Sequence, residues 1–351
     1  MAQPPISTAD LDHVLSETRS LWPEMRNQRI FITGGTGFFG CWLLESFSYI
    51  NRKLSLNAHA TVLTRDSDAF AAKCPHLAVD QAFTFLTGDV RSFSFPDGDF
   101  RFVIHAATEA SAKQATEQPI EMLTTIIGGT ERTLNFAQTH STQKLLLTSS
   151  GAVYGRQPAS LTHVDEKYLG GPDPLDSASV YSEGKRISEQ MCALQSTDSA
   201  MEIKIARCFA FVGPHLPLDT HFAIGNFIGD VLAGRPIRIS GDGTARRSYL
   251  YASDLAIWLW TMLFRAPPLV AFNVGSSQDL SILELAQAVR QSLNSSTEIY
   301  VAKKPVPGVD AARYVPSVNR AQEMLSLKET VNLREAIRRT AAWYGDGGKG
   351  K

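Results

Sequence analysis

Six short aliphatic runs recur along the first two-thirds of the chain: RIFIT (29–33), ATVLT (60–64), AFTFL (82–86), RFVIH (101–105), KLLLTS (144–149) and EIKIAR (202–207). Runs this short and this continuously apolar suit strands buried on both faces. Between them lie longer stretches with apolar residues three and four apart. After the first run, Phe39, Leu43, Phe47 and Ile50 make a helical stripe that would face a sheet. Such alternation predicts βαβ units, and so an α/β fold with a doubly wound parallel sheet and helices on both faces. Residues 8–26 read as one short amphipathic helix before the first strand. Beyond residue 208 the pattern loosens at Pro214, Pro217, Gly234, Pro236, Gly241 and Gly243, before LYASDLAIWLWTML (250–263) returns to a helix.

Composition narrows the class. A net charge of -1 offers no global field for nucleic acid or an anionic membrane surface, so neither is expected as a partner. No apolar run reaches the roughly 18 residues of a membrane span. The polar opening MAQPPISTADLDH lacks the basic-then-apolar order of a secretory signal. Cys41, Cys74, Cys192 and Cys208 are scattered without CxxC spacing, which predicts reduced thiols, no metal site and a cytoplasmic setting.

RIFITGGTGFFG carries the first strand straight into Gly34, Gly37, Phe38, Phe39 and Gly40, and then into a helix. Gly34 permits a tight turn, Gly37 lets a pyrophosphate approach the backbone, and Gly40 allows close packing. The helix N-terminus adds free N–H groups and a positive dipole end. A glycine-rich turn alone says little; the strand before it and the helix after it point to a dinucleotide. At the end of the second strand stand Thr64 and Arg65 where an acidic residue would bind the ribose of NAD. Arg65 could pair with a 2′-phosphate or stack on adenine, so both NAD and NADP stay open. Asp89 and Val90 suit the adenine edge, and Ala106 and Ala107 would let the cofactor lie against the backbone.

In VYSEGKRISEQM, Tyr181 and Lys185 fall on one helix face. A nearby ammonium stabilises a phenolate and is expected to lower the tyrosine pKa toward working pH. That phenol could then take a proton from a sugar hydroxyl while a nicotinamide takes the hydride. Lys185 could also hold the nicotinamide ribose, and Ser150 could polarise the forming carbonyl.

With GGTGFFG, TGDV, HAAT, SSGAVYG, YSEGK, GDGTARRSYLYASD and PGVDAARY in place, the chain resembles an extended short-chain dehydrogenase/reductase of the nucleotide-sugar epimerase/dehydratase family over about residues 28–345. The resemblance implies a Rossmann domain at 28–208 with return segments about 248–277. It also implies a smaller C-terminal lobe, from 209–247 and 278–345, that binds a nucleotide-diphosphate sugar. An N-terminal extension (1–27) and a loose tail (346–351) flank them. The motif positions carry over to Ser150, Tyr181 and Lys185 as catalytic residues. For the sugar nucleotide they carry over to Arg247 and Arg313 at the diphosphate, with Arg246 beside them, to Asn226 near it, and to Asp310 at the ribose. The helices about 118–138 and 179–196 resemble those of the family's intermolecular four-helix bundle, so a homodimer is expected.

Residues 166–185 are most similar to UDP-glucuronate decarboxylases. Yet decarboxylases and 4,6-dehydratases of the family carry Glu where this chain has Ala152, and dehydratases carry Asp where it has Gly151. A decarboxylase Gly-Pro-Arg is here Gly213, Pro214, His215, and an Asn after Arg-x-Phe is here Ala210. A loop with a serine and no carboxylic acid suits reversible oxidation at a carbinol, which is what a 4-epimerase or a 4-ketoreductase needs. Glu109, in HAATEAS, stands where a dehydratase glutamate falls, and His215 and His221 could act as acid or base on the sugar side. A dehydratase or decarboxylase with displaced acids, and a non-catalytic dinucleotide sensor, are the other readings.

Overall fold

The computed structural model describes residues 2–108, 112–197, 200–220 and 222–346. The chain opens with α1 (Thr8–Thr18), β1 (Arg29–Thr33), α2 (Phe38–Leu54), β2 (His59–Thr64), α3 (Ser67–Lys73), α4 (Pro75–Ala78) and β3 (Phe83–Thr87). It continues through β4 (Phe102–His105), α5 (Ala112–Glu117), α6 (Pro119–Thr139), β5 (Lys144–Ser150), α7 (Val180–Thr197) and β6 (Glu202–Cys208). All six aliphatic runs are strands. After β7 (Phe211–Val212), α8 (Ala223–Leu232), β8 (Ile237–Ile239), β9 (Arg246–Ser248), β10 (Leu250–Tyr251) and α9 (Ala252–Arg265), a further strand, β11 (Ala271–Val274), joins them.

The seven long strands form one parallel sheet in the order β11-β6-β5-β4-β1-β2-β3. Strand order runs outward in one direction from β1 and in the other from β4, so the crevice at their carboxyl ends is the switch point where such sheets bind ligands. Thr33 of β1 sits beside His105 of β4 at that end.

Two expectations about helices are corrected. The helix expected over 8–26 stops at Thr18, and a separate 3₁₀ turn covers Trp22–Met25, opened by Pro23. Helix α2 shows more than a sheet-facing stripe, because every residue from Gly40 to Ile50 is buried. α1 and α9 cover the side that would otherwise meet water. The N-terminal segment is thereby part of the core: Trp22 is fully buried, its ring 4.9 Å from Trp260 and 6.0 Å from Phe264. Asp10 accepts a 2.9 Å hydrogen bond from the buried Tyr251 hydroxyl and a 2.6 Å bond from Arg339.

The C-terminal segment adds β12 (Asp279–Ser281), α10 (Ile282–Ser292), β13 (Ile299–Val301), β14 (Arg313–Tyr314), α11 (Asn319–Leu325) and α12 (Leu333–Asp346). A small sheet ordered β12-β9-β14 sets Arg313 beside Arg246 and Tyr314 beside Arg247. No helix among the described residues is long and apolar enough to cross a membrane.

Removing the indole that bridges the N-terminal segment and α9 should be costly. Trp260→Ala is expected to lower unfolding free energy by about 3–5 kcal/mol in denaturant titration. Leu232→Ala, at a position 45% exposed, should change it by less than about 1 kcal/mol.

Candidate active site

The glycine loop closes over the β1–β4 crevice. Gly34 has φ +72°, and a Cβ there would lie 2.4 Å from the Ala106 carbonyl and 2.5 Å from the Ala107 nitrogen. The loop therefore rests directly on the Ala106–Ala107 backbone. A Cβ at Gly40 would come within 2.2 Å of Gly35, which fixes glycine by packing. Gly37 differs: a Cβ there would meet only the Gly34 oxygen, at an ordinary 3.5 Å. The protein itself leaves the exposed outer face of the loop at Gly37 open. Phe38 and Phe39 lie in the first turn of α2, and Phe39 packs edge-on to Phe211 at 5.0 Å. Beneath the loop, Thr33 Oγ1 lies 2.7 Å from His105 Nδ1 and accepts from the Ala107 amide at 3.2 Å. Burial pushes His105 down to about 3, so this imidazole is a neutral structural post.

At the end of β2, Thr64 is buried and Arg65 is exposed near Asp89. Asp66 caps α3 through a 2.8 Å bond from the Ala69 amide. The Asp89 carboxylate is held by Arg91, through Nε and Nη2 at 2.8 and 2.7 Å and the amide at 2.8 Å. That carboxylate thus shapes the loop after β3, while Val90 packs under Gly129.

The pairing of β5 with β4 ends at Leu147, whereas β5 continues beside β6 to Ser150. Residues 148–150 therefore project past β4, and α7 lays Lys185 against them. The Lys185 ammonium is 3% exposed and donates to Thr108 Oγ1 at 2.6 Å and to the Thr148 carbonyl at 2.8 Å. Burial lowers its pKa to about 8.

The two adjacent serines divide their work. Ser149 donates to Glu189 at 2.5 Å, and Glu189 is gripped by Arg207 through Nε and Nη2. Arg207 also donates to the Tyr154 hydroxyl at 2.9 Å, which donates to Asn273 at 2.8 Å. This buried network pins the loop after β5. Ser150 Oγ accepts from the Ala152 amide at 3.1 Å, lies 3.4 Å from the Tyr314 hydroxyl, and stands beside the Tyr181 phenol.

The expected lowering of the Tyr181 pKa by lysine is not what the structure shows. Burial pushes Tyr181 up to about 12, and the neighbouring Ser150 hydroxyl opposes that only in part. The ammonium is aimed instead at Thr108 and Thr148. Sequence reasoning also passed over Tyr314 as a site residue. It lies in the motif PGVDAARY, and pairing of β14 with β9 carries it to Ser150. Its ring sits 4.6 Å from Phe209. Thr108, in HAAT, was missed as well: a threonine after a strand carries no sign that it will receive a lysine 77 residues away.

Of the cations expected at the diphosphate, Arg246 and Arg313 share Asp279, with Arg313 at 3.2 Å, and Arg246 also reaches Glu284 at 3.5 Å. Among the described residues Arg247 bonds only a backbone oxygen, that of Arg246 at 2.8 Å, and its guanidinium stands 5.8 Å from the Tyr314 ring. No ion pair of Arg247 occurs among the described residues, which leaves its charge available beside Tyr314. Asn226, on α8, has its side-chain oxygen buried without a hydrogen-bond partner, an atom that a ligand donor would satisfy. Asp310 is exposed and lines a cavity of about 310 Å³ with Arg156 and Gln157. A larger cavity, about 520 Å³, lies among Val231, Leu293 and Ala341 and includes none of the candidate residues.

Glu109 and His221 lie outside the described residues. His215 is not on the sugar side. It is buried with φ +70°, bonds Gln3 at 2.9 Å and packs 4.6 Å from Trp343, because the turn after β7 directs it under α2.

A family model described as the NAD dependent epimerase/dehydratase family matches residues 30–275. UDP-glucuronic acid decarboxylase 1 of Xenopus tropicalis is 28% identical over 92% of this chain and 73% of its own length. UDP-glucose 4-epimerase of Thermotoga maritima, solved with UDP-glucose, superposes with a TM-score of 0.78 at 18% identity, covering 92% of this chain and 100% of its own. UDP-glucuronic acid 4-epimerase of Bacillus cereus, solved with UDP-glucuronic acid and NAD, gives 0.76 at 22% identity, covering 91% and 99%.

The buried lysine sets a pH signature. Below pH 8 the folded chain carries the full cost of burying an ammonium. Between about 8 and the ordinary lysine value of 10.5, the unfolded chain holds a proton that the folded chain has released, so stability rises with pH. Relative to Lys185→Met, wild type should gain about 3 kcal/mol across that window, measured by denaturant unfolding at pH 7 and at pH 10.5.

Proposed function

The chain belongs to the NAD dependent epimerase/dehydratase family, and from that premise we propose that it oxidises C4 of a nucleotide-diphosphate sugar to a transient ketone and acts as a 4-epimerase. One observation carries the choice: the loop beside the reactive hydroxyls contains no acid. Ser150 stands between two phenols, and the next two residues are Gly151 and Ala152. A Cβ at Gly151 would lie 2.4–2.6 Å from the Phe209 ring, so an aromatic wall of Phe209 and Tyr314 takes the side where an acid at 151 would project. Elimination of water needs a proton donor and a base at C5 and C6. Epimerisation needs hydrogen removed and returned at C4 only.

In this reading Tyr181 takes the C4 hydroxyl proton, and Ser150 holds the same oxygen and polarises the carbonyl as it forms. Bound NAD supplies the hydride acceptor and a positive charge that favours the phenolate. Gly34, Gly37 and the N-terminus of α2 hold its phosphates, and Lys185 holds its ribose. Arg247 and Arg313 meet the diphosphate of the sugar nucleotide, Asn226 binds near it, and Asp310 contacts its ribose. The enzyme works in the cytoplasm as a homodimer through α6 and α7, which leave Ile120, Ile187 and Leu194 exposed. Similarity to UDP-glucuronic acid decarboxylases favours a second reading, loss of carbon dioxide from a UDP-hexuronate through the same ketone.

Incubating the enzyme with NAD and UDP-glucose, UDP-N-acetylglucosamine or UDP-glucuronate in deuterated water separates these readings by NMR. The expected product is inverted at C4 with C5 and C6 free of deuterium. Deuterium at C6 with loss of a hydroxyl, or release of carbon dioxide, defeats the epimerase reading. Consumption only with stoichiometric reduced cofactor would make the enzyme a reductase. Tyr181→Phe should lower kcat by about 10²–10⁴ while NAD binding, followed by calorimetry, persists. Unchanged turnover in that variant would remove the phenol from the mechanism.

A further inference from the structure

Directly behind the glycine loop, three segments far apart in sequence converge on one buried point. Cys41 comes from the first turn of α2, Cys74 from the junction of α3 and α4, and His215 from the turn after β7. Their two sulfurs and an imidazole nitrogen all lie within 4.8 Å of one another. The cysteines are 0% exposed and His215 is 2% exposed. We propose that Cys41, Cys74 and His215 form a structural zinc site.

The donor set is the first argument. Two thiolates and an imidazole in a closed pocket suit zinc, whose Zn–S and Zn–N bonds imply donor separations of about 3.3–3.8 Å. With every separation at or below 4.8 Å, the cluster needs to contract by no more than about 1–1.5 Å to reach that spacing. The second argument is the histidine. Its Nδ1 faces Gln3 Oε1 at 2.9 Å, and its Nε2 is buried without a hydrogen-bond partner. A proton on Nδ1, donated to the Gln3 carbonyl, leaves the Nε2 lone pair for a metal, which is how ligating histidines are commonly oriented. A disulfide between Cys41 and Cys74 would leave that nitrogen buried and unsatisfied, so the imidazole favours a metal over oxidation.

The third argument is the fourth coordination position. A Glu45 carboxylate oxygen lies 3.9 Å from His215 Nε2 and is held by His76 at 2.6 Å and by the Ile6 amide at 3.4 Å. It is a further donor beside the cluster, one turn along α2 from Cys41; Gln3 Oε1, 3.8 Å from Cys74 Sγ, is another. His215 also accepts a left-handed φ of +70°, which is uncommon outside glycine and keeps its ring in the cluster. Such a site would bind Gln3 and the turn after β7 to the base of the glycine loop, where Cys41 already contacts the Thr36 carbonyl at 3.8 Å.

The test uses the full chain and the metals alone. Purified without chelator, wild type should carry about one zinc per chain by elemental analysis. Cobalt(II) replacing it should give the near-ultraviolet thiolate charge-transfer band and the strong visible bands of a tetrahedral site. Adding zinc to the chelator-treated chain should raise Tm by several degrees. Cys74→Ser and His215→Ala should each weaken zinc binding at least about tenfold, whereas Cys192→Ala should not. A folded, thiol-reduced wild type that takes up no zinc, cobalt bound without a thiolate band, or zinc binding undiminished in the Cys41→Ser, Cys74→Ser double variant would each overturn the proposal. So would a Cys41–Cys74 disulfide that forms in place of metal uptake. The stoichiometry and the cobalt spectrum need only wild type, so they decide the matter even where a variant fails to fold.

Discussion

A cation buried beneath the end of a strand organises the candidate site. Lys185 can keep its ammonium out of water only because β5 runs past its β4 neighbour and offers the Thr148 carbonyl, and because the turn after β4 supplies Thr108. Both acceptors sit at the carboxyl end of the sheet, Thr148 on β5 and Thr108 in the turn after β4, the strand that flanks the switch point. The lysine therefore joins α7 to the crevice, and Tyr181, one turn earlier on the same helix, is carried with it toward Ser150. The energetic consequence is a lysine whose pKa falls to about 8 and a phenol whose pKa rises to about 12. Burial disfavours both charged forms. The pair as it stands is less charged than the sequence spacing alone suggests, and a bound positive charge is what would reverse the preference of the phenol.

The second half of the chain completes the site by strand pairing rather than by helix packing. β9 and β14 are only a few residues long, yet their register sets Tyr314 beside Arg247, and the Tyr314 hydroxyl lies 3.4 Å from Ser150 Oγ. Asp279 ties Arg246 and Arg313 together, and the salt bridges fix the small sheet, while Arg247 has no ion pair among the described residues. The serine hydroxyl thus receives one phenol from each half of the molecule.

The long parallel strands were legible because each is buried on both faces and so reads as a continuous apolar run. RIFIT and KLLLTS coincide with β1 and the body of β5. The glycine loop was legible because Gly34 and Gly40 answer to backbone contacts within the protein. What escaped was set by tertiary contact. Strands of two or three residues such as β7, β9, β10 and β14 carry no periodicity, so Tyr314 could not be placed. The full burial of α2 depends on α1 and α9 lying over it, which its own sequence does not record. His215 looked like a loop residue on the ligand side, and only its turn shows that it points inward. The scattered spacing of the cysteines gave no sign that Cys41 and Cys74 converge with His215, because three separate segments supply them.

The acid-free loop and the aromatic wall are linked constraints. Gly151 lies against the ring of Phe209, Phe209 packs at a tilt against Tyr314, and the Tyr314 hydroxyl lies 3.4 Å from Ser150 Oγ. An acid at 151 would have to displace Phe209, and that movement would propagate to the phenol contributed by the second half. On the other side, Ser149, Glu189, Arg207 and Tyr154 fix the loop through a buried network that accepts little backbone shift. Held from both sides, the loop keeps the Ser150 hydroxyl in place, and a side chain at 151 would meet the Phe209 ring at 2.4–2.6 Å.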